Sequence, residues 1–540
     1  MGQKPYWMEE PRSSGPPPPP PPPSEPPKRF GGSGVKVAVG LLAIALIAVS
    51  VFAFVGYQRT NDLQDRLDEQ ERAQANEQDD PANPLDDILG DLGGGEGDLD
   101  DLLGDLGGGG DLLGGSNSDL LECLASGSGG GLGDFFGGGG SDDLEDLFGG
   151  GSPARQKSPR KLVGSISKQV EKIRELRYDK PLDAYFLTKA QLEKRVGELF
   201  LEGYSKRDAD LEGRVLEALG AIPRETDLFS TRKKVLESQV AGFYVPETEE
   251  LVVLAEEQVG PLERVTLAHE LEHALADQAL DLPLPERSNP ATADSDLAAL
   301  AVVEGDATLT MQRWSLAHLS LTDQLSMLSG SPQLQKLQED LEAMPHFIQQ
   351  QLQFPYLDGL GFVCALQRDG GWPAVDKAYD EPPASSDQVL FPERYDPDAE
   401  PIDPAGTNEP GAGWTSSLSG SFGAAELKWL FEAPGGDPTV ALADPLQAAG
   451  AWGGGELELW TDGGRSALGA ALAQRRGSDG LCESITEWYS ASFKDDSEST
   501  EGGAVLVAEG GEQDAVITCS GDEVRIGIGP SVDVARSLAD

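Results

Sequence analysis

Basic charge is what this sequence has least of. Its 540 residues carry 41 Lys and Arg against 93 Asp and Glu, a formal net charge of −52. Phosphate binding needs clustered cations, so this balance argues against a nucleic-acid partner. Between about Pro81 and Gly151 there is no Lys or Arg at all. Cysteine is also sparse. Cys123, Cys364, Cys482 and Cys519 form no CxxC pair and no zinc-finger spacing, which argues against a Cys-ligated metal. An oxidising compartment would permit a Cys482–Cys519 disulfide; four unpaired thiols are the equal alternative. Only four His are present, so a pair of them at ligand spacing stands out.

Gly (67) and Pro (38) are abundant and concentrate before Ser152. Residues 1–34, with the run Pro16 to Pro23, read as a disordered Pro-rich cytoplasmic tail of polyproline-II character. It is either a stiff spacer or a ligand for a polyproline-binding partner. Residues 35–57 read as one transmembrane helix, because Val37 to Tyr57 holds no charge. About 20 apolar residues rising ~1.5 Å each cross a bilayer core. Lys28, Arg29 and Lys36 precede the span, and Asp62, Asp65, Asp68 and Glu69 follow it. That asymmetry predicts a single-pass cell-membrane protein with a cytoplasmic N-terminus and an extracytoplasmic remainder. Residues 58–154 read as a flexible acidic Gly/Asp/Leu linker, since Gly-rich backbone is too costly to order and like charges extend it.

Composition changes at Arg155. Val163, Ile166, Val170 and Ile173, then Leu192, Val196, Leu199 and Phe200, recur at helical spacing. Gln239–Tyr244 and Glu250–Leu254 predict a hairpin around the turn Pro246 to Glu249. Helices are predicted over about Pro261–Leu280 and Asp294–His318. Residues 155–400 form the expected chemical domain, and 401–540 an α/β extension packing on it. The alternating runs Ala504–Ala508, Ala515–Cys519 and Glu523–Ile528 suggest a meander.

The chemistry lies in His269-Glu270-Leu271-Glu272-His273, an H-E-x-x-H sequence. Residues four apart share a helix face, so the two imidazoles can grip one metal ion. Glu270 lies at the edge of that face, placed to accept a proton from water. Two core histidines satisfied by backbone and water are the bland alternative. Neutral nitrogen ligands suit Zn²⁺, which needs a further protein ligand and an open position. The metzincin continuation is absent, because Ala276 and Ala279 stand where its Gly and His would be. Glu304, a carboxylate among apolar neighbours on a later helix, is the best third ligand. Asp294, Asp296, His318 and His346 are weaker alternatives. Asp277 could orient an imidazole, and Asp306 could bond a neighbouring helix.

The H-E-x-x-H pair with a later Glu resembles the gluzincin pattern. More closely, GFYVPETEELVV, TLAHELEHALADQ and VVEGDATL resemble a family of bacterial zinc metallopeptidases, and the likeness continues through FPYLDGLGFV to LFPERY, covering most of residues 160–400. The resemblance implies a zinc-peptidase fold with His269, His273 and Glu304 as metal ligands and Glu270 as catalytic base. The chain departs from the family pattern at Phe391, where the pattern has His. The thermolysin-like Glu-x-x-x-Asp is also absent, as Thr308 follows Glu304. The expected fold is therefore α+β: a mainly helical zincin-like core with a small β-hairpin or sheet, after one transmembrane helix and a disordered linker. The expected function is a membrane-anchored zinc metallopeptidase acting on protein or peptide, with Tyr244 or Tyr395 as candidate oxyanion donors. A surface-tethered binding or assembly protein that keeps the zincin-like fold without catalysis is the rival.

Overall fold

The computed structural model describes residues 28–29, 123–124, 159–238, 242–254, 259–283, 293–328, 339–493, 497–501, 505–509 and 513–540. The segment 35–57, expected to span a membrane, and nearly all of the Pro-rich tail and acidic linker lie outside them.

Helix α1 (Pro159–Arg174) presents Val163, Ile166 and Val170 to the interior. Strand β2 (Ala184–Leu187) follows, then α2 (Lys189–Gly203), α3 (Lys206–Ala218) and α4 (Leu228–Ser238). The predicted hairpin forms as β3 (Gly242–Val245) and β4 (Glu250–Leu254), antiparallel, with Tyr244 opposite Leu251. Strand β2 adds in parallel on the other side of β4, leaving β3 at an edge. Side chains alternate across this sheet as pleating requires. Tyr244, Leu251 and Val253 join the cluster around Leu267 and Leu271, whereas Phe243, Val245 and Val252 join Leu192, Val196 and Phe200.

Two long helices carry the centre of the molecule. Helix α5 (Pro261–Leu280) begins with Gly260 as N-cap and Pro at its first position, where the lost N–H has no helical partner anyway. It ends at Asp281, whose φ of 63° leaves the helical region. Between these ends, Val265 through Ala276 is buried without a break. A helix apolar nearly all round belongs inside a protein. Helix α6 (Ala293–His318) packs beside it, and α7 (Leu321–Leu328) follows. Helix α8 (His346–Gly370) crosses α6 with the two backbones in contact. A Cβ on Gly305 would stand 2.3 Å from the Gly359 carbonyl oxygen, and one on Gly359 would stand 2.4 Å from that of Ala301. Only glycine permits this approach, and it lies beside Glu304.

After α9 (Trp372–Asp380) and α10 (Ser386–Leu390), the chain builds a second sheet of eight strands. Its order is β1 (Lys28–Arg29), β5 (Thr415–Ser421), β6 (Trp452–Asp462), β7 (Arg465–Gln474), β11 (Glu523–Gly529), β10 (Asp514–Ser520), β9 (Val505–Glu509), β8 (Ser497–Glu501). Only the β1–β5 pair is parallel. Helices α11 (Ala424–Glu432), α12 (Pro445–Ala449), α13 (Leu481–Ser492) and α14 (Val532–Ala539) complete the set. One hydrophobic cluster runs from Leu211 through α6 and α8 to Ile528. Two disulfides close the fold: Cys482–Cys519, and Cys123–Cys364, whose pairing sequence spacing did not suggest.

The expected architecture is corrected in two respects. The fold is α+β, but its main sheet has eight strands, built on β6 and β7, whose Gly- and Ala-rich sequences hide their strand character. Among the described residues no helix is long and apolar enough to cross a membrane, so the membrane span is withdrawn from the fold.

Candidate metal centre

His269 and His273 sit one turn apart on α5 with their rings 4.5 Å apart and nearly perpendicular, at 82°. Glu304, from the middle of α6, projects between them. Its Oε2 lies 3.2 Å from Nε2 of His269 and 3.4 Å from Nε2 of His273. One ligand atom from each of the three falls within 4.8 Å of the others, so the group can hold a metal ion. All three side chains are fully buried. His269 Nδ1, both ring nitrogens of His273 and Glu304 Oε1 have no hydrogen bond among the described residues. Buried polar atoms left so are costly, and a cation among two imidazoles and a carboxylate would satisfy them. The donor set fits.

Electrostatics favour ligation. Burial, reinforced by His273, lowers the His269 pKa to about 4, so that ring is a neutral donor at physiological pH. Burial raises the Glu304 carboxyl, but the two imidazoles outweigh it and hold the pKa below the usual carboxylate value. Glu270 turns away from the imidazoles toward the sheet. Its Oε2 accepts the backbone N–H of Tyr244 at 2.8 Å, and its Oε1 has no partner. Burial first, then Glu304, pushes its pKa well above the carboxylate range. A carboxyl so raised stays protonated to higher pH than an exposed one.

The weaker ligand candidates lie elsewhere. Asp294 opens α6, receives the Ser386 N–H at 3.1 Å and is raised by burial to about 6. Asp296 is buried in the same first turn. His318 ends α6 against Gln169, and His346 bonds Glu432 at 3.0 Å. Asp277 accepts the Tyr244 hydroxyl at 2.7 Å rather than an imidazole N–H. The phenol of Tyr244 is thereby turned from Glu270, and that of Tyr395 bonds the Glu381 carbonyl. Asp306 reaches neighbouring helices through Arg174 and Tyr379. Thr308 is fully buried with no hydrogen bond on its hydroxyl. Phe391 lies under the Arg394 guanidinium, 3.6 Å from its ring centre, and lines a cavity of about 860 Å³ that none of the three ligand candidates lines.

Three residues escaped the sequence reading. Tyr356 on α8 is hydrogen-bonded to Glu304, with its ring 6.3 Å from that of His269. Nothing in FPYLDGLGFV distinguished it from a core aromatic. Glu272 and Arg174 are both fully buried behind His273. Arg174 did leave a signal: it extends the apolar stripe Val163, Ile166, Val170 by one more turn, a cation at a core position. Compared with family models, curated proteins and solved structures, the chain matches none of them.

Proposed function

We propose that this protein is a zinc-dependent hydrolase of peptide bonds, with His269, His273 and Glu304 as ligands and Glu270 as general base. The observation that carries the reading is the convergence of two imidazoles and one carboxylate beside a second carboxyl that does not join them. Zn²⁺ held there supplies a Lewis acid that polarises a carbonyl and lowers the pKa of water toward ~7. The chain's residues do the rest. Tyr244 N–H holds Glu270 by one oxygen, which leaves Oε1 to take a proton from water and return it to the leaving amine. Edge strand β3 offers an extended substrate a backbone to pair with, which favours a peptide. Tyr356, not Tyr244 or Tyr395, is the phenol that contacts the group.

One observation favours a second reading. His269, Glu270, His273 and Glu304 are all 0 % exposed, as a closed structural metal site in a non-catalytic binding protein would be. Zinc content and cleavage of a broad peptide library, measured on wild type and Glu270→Gln, separate the two. The hydrolase reading expects one zinc per chain in both proteins and a rate about 10²–10⁴-fold lower in the variant. Zinc-loaded wild type that cleaves nothing would leave the structural reading standing, and a variant as active as wild type would remove Glu270 as the base.

A further inference from the structure

The cavity of about 860 Å³ that Phe391 lines forms where the turn after α10, helix α12 and the loop after β7 meet, and charges of both signs face it. Its volume falls in the ~300–1,000 Å³ range of small-ligand sites. Arg394 and Arg475 are half-buried in its wall, whereas Asp444 and Asp479 are exposed. Both guanidinium groups reach the Gly450 carbonyl, Arg475 from Nε at 3.0 Å and Arg394 from Nη1 at 3.3 Å. Glycine makes the room, since a Cβ there would stand 3.0 Å from the Phe391 ring and 3.3 Å from Arg394 Nη2. Arg394 also donates to Asp387 at 2.5 Å. Arg475 has no ion pair, and its Nη atoms make no hydrogen bond among the described residues.

A chain with 93 acidic against 41 basic side chains does not leave a half-buried guanidinium unpaired for want of carboxylates. Two stand in the same cavity, yet neither Asp444 nor Asp479 pairs with an arginine. Asp444 caps α12 by accepting the Gln447 N–H at 3.0 Å, and the Asp479 carboxylate has no partner among the described residues. Opposite charges kept unpaired within one cavity match a ligand that carries both. The geometry points to a binding site for a zwitterion, either a free amino acid or a short peptide with both termini free. Its carboxylate meets the open edge of the Arg475 guanidinium, where two parallel N–H bonds match two carboxylate oxygens. Its ammonium faces Asp444 and Asp479 at the exposed side, and its apolar side chain lies against Phe391 and Leu446. A doubly charged phosphate would be repelled by the same two aspartates. No candidate metal ligand lines the cavity, so the site stands or falls apart from the metal reading.

The test is calorimetric titration of the full-length protein with probes that contain no peptide bond. Leucine carries its two charges on neighbouring carbons, and δ-aminovalerate spaces them as the termini of a dipeptide are spaced. Wild type is expected to bind one or both, leucine marking a free amino acid as the ligand and δ-aminovalerate a peptide. Isoamylamine and butylamine, the same molecules without the carboxylate, should bind about 10–100-fold more weakly, because the arginine end is half-buried. Isocaproate and valerate, which lack the ammonium, should lose only about 2–5-fold, because the aspartates are exposed. Arg475→Gln should weaken the zwitterion about 10–100-fold, which places the binding here and not at the metal group. The amine and acid arms use wild type alone and hold even where that variant does not fold. Wild type that binds neither zwitterion overturns the site, as do amines that bind as tightly as the zwitterions, or a folded Arg475→Gln that binds like wild type. Acids that bind as tightly as their amino counterparts overturn the zwitterion.

Discussion

The helical part of the molecule and its eight-stranded sheet are built on opposite rules. Among the described residues, every fully buried polar or charged side chain falls between Ser167 and Gln388; after Gln388 the fully buried side chains are apolar, and polar ones such as Glu426 are only partly covered. In the sheet, Leu457 and Leu459, Leu468, Ala470 and Leu472, Val524 and Ile526 line the main core, and β7 is buried on both faces, with Ala467, Ala471 and Ala473 equally closed. Around α5 and α6, by contrast, Arg174, Glu270, Glu272, Glu304 and Asp306 are all at 0 % exposure. Burying ions rarely adds net stability over apolar residues of the same size, because desolvation cancels the attraction. A chain able to build the sheet had no need of these charges for folding. They gather around the one group that can hold a metal ion among the described residues.

The strongest way to break this contrast is Arg174→Met. It leaves Asp306, Asp376 and Glu272 facing one another without their guanidinium, and is expected to cost about 3–5 kcal/mol in denaturant unfolding. Replacing Arg174, Asp306 and Glu272 together by apolar residues of similar volume should recover most of that loss while zinc binding falls. If the triple variant stays as unstable as the single one, the charges are structural and the contrast is empty.

The disulfides give a second, smaller test, one in each region. Cys123–Cys364 joins residues 241 apart and anchors the neighbourhood of Arg313; Cys482–Cys519 joins α13 to β10 across 37. If chain entropy governs, removing either by paired Cys→Ser costs several kcal/mol, and the longer closure costs about 1–2 kcal/mol more. Guanidinium midpoints of the two double variants rank them. The reverse order would mean that residues 123–124 are only loosely held.

Legibility in the sequence follows the same division. The α5 and α6 boundaries, the β3–β4 hairpin and the group His269, His273, Glu304 could all be read, because helical period and ligand spacing are local signals. Strands β6 and β7 could not. WGGGELELWTD has a single β-branched residue, Thr461, and RSALGAALAQ has none, and their pairing partners lie as far away as β11. Tyr356 and Cys123 were equally silent, since what gives each a role is a partner distant in sequence: Glu304 for one, Cys364 and Arg313 for the other. Arg174 was legible and overlooked, as a charge on an apolar stripe asks for a buried partner.

The smallest expected effect lies where the two regions meet. Glu426, in the first turn of α11, accepts the Gly423 N–H at 2.8 Å, and burial, aided by Asp294, raises its pKa to about 8. Unfolded, it titrates near the ordinary value of 4.5. Between those values the native state holds a proton that the unfolded chain has released. The stability contributed by the group is complete below pH 4.5 and fades as pH rises through 8. His269 acts in the other direction. Its native pKa of about 4 lies under the ordinary 6.5, so its contribution is complete above 6.5 and is lost as pH falls toward 4. Glu426→Gln keeps an acceptor for Gly423 and removes only the alkaline loss. Urea midpoints at pH 5, 6, 7 and 8 should therefore coincide with wild type at the acid end and pull ahead of it toward pH 8. Parallel curves would mean that Glu426 is ionised in the native protein, with the Gly423 N–H sufficient to hold the charge.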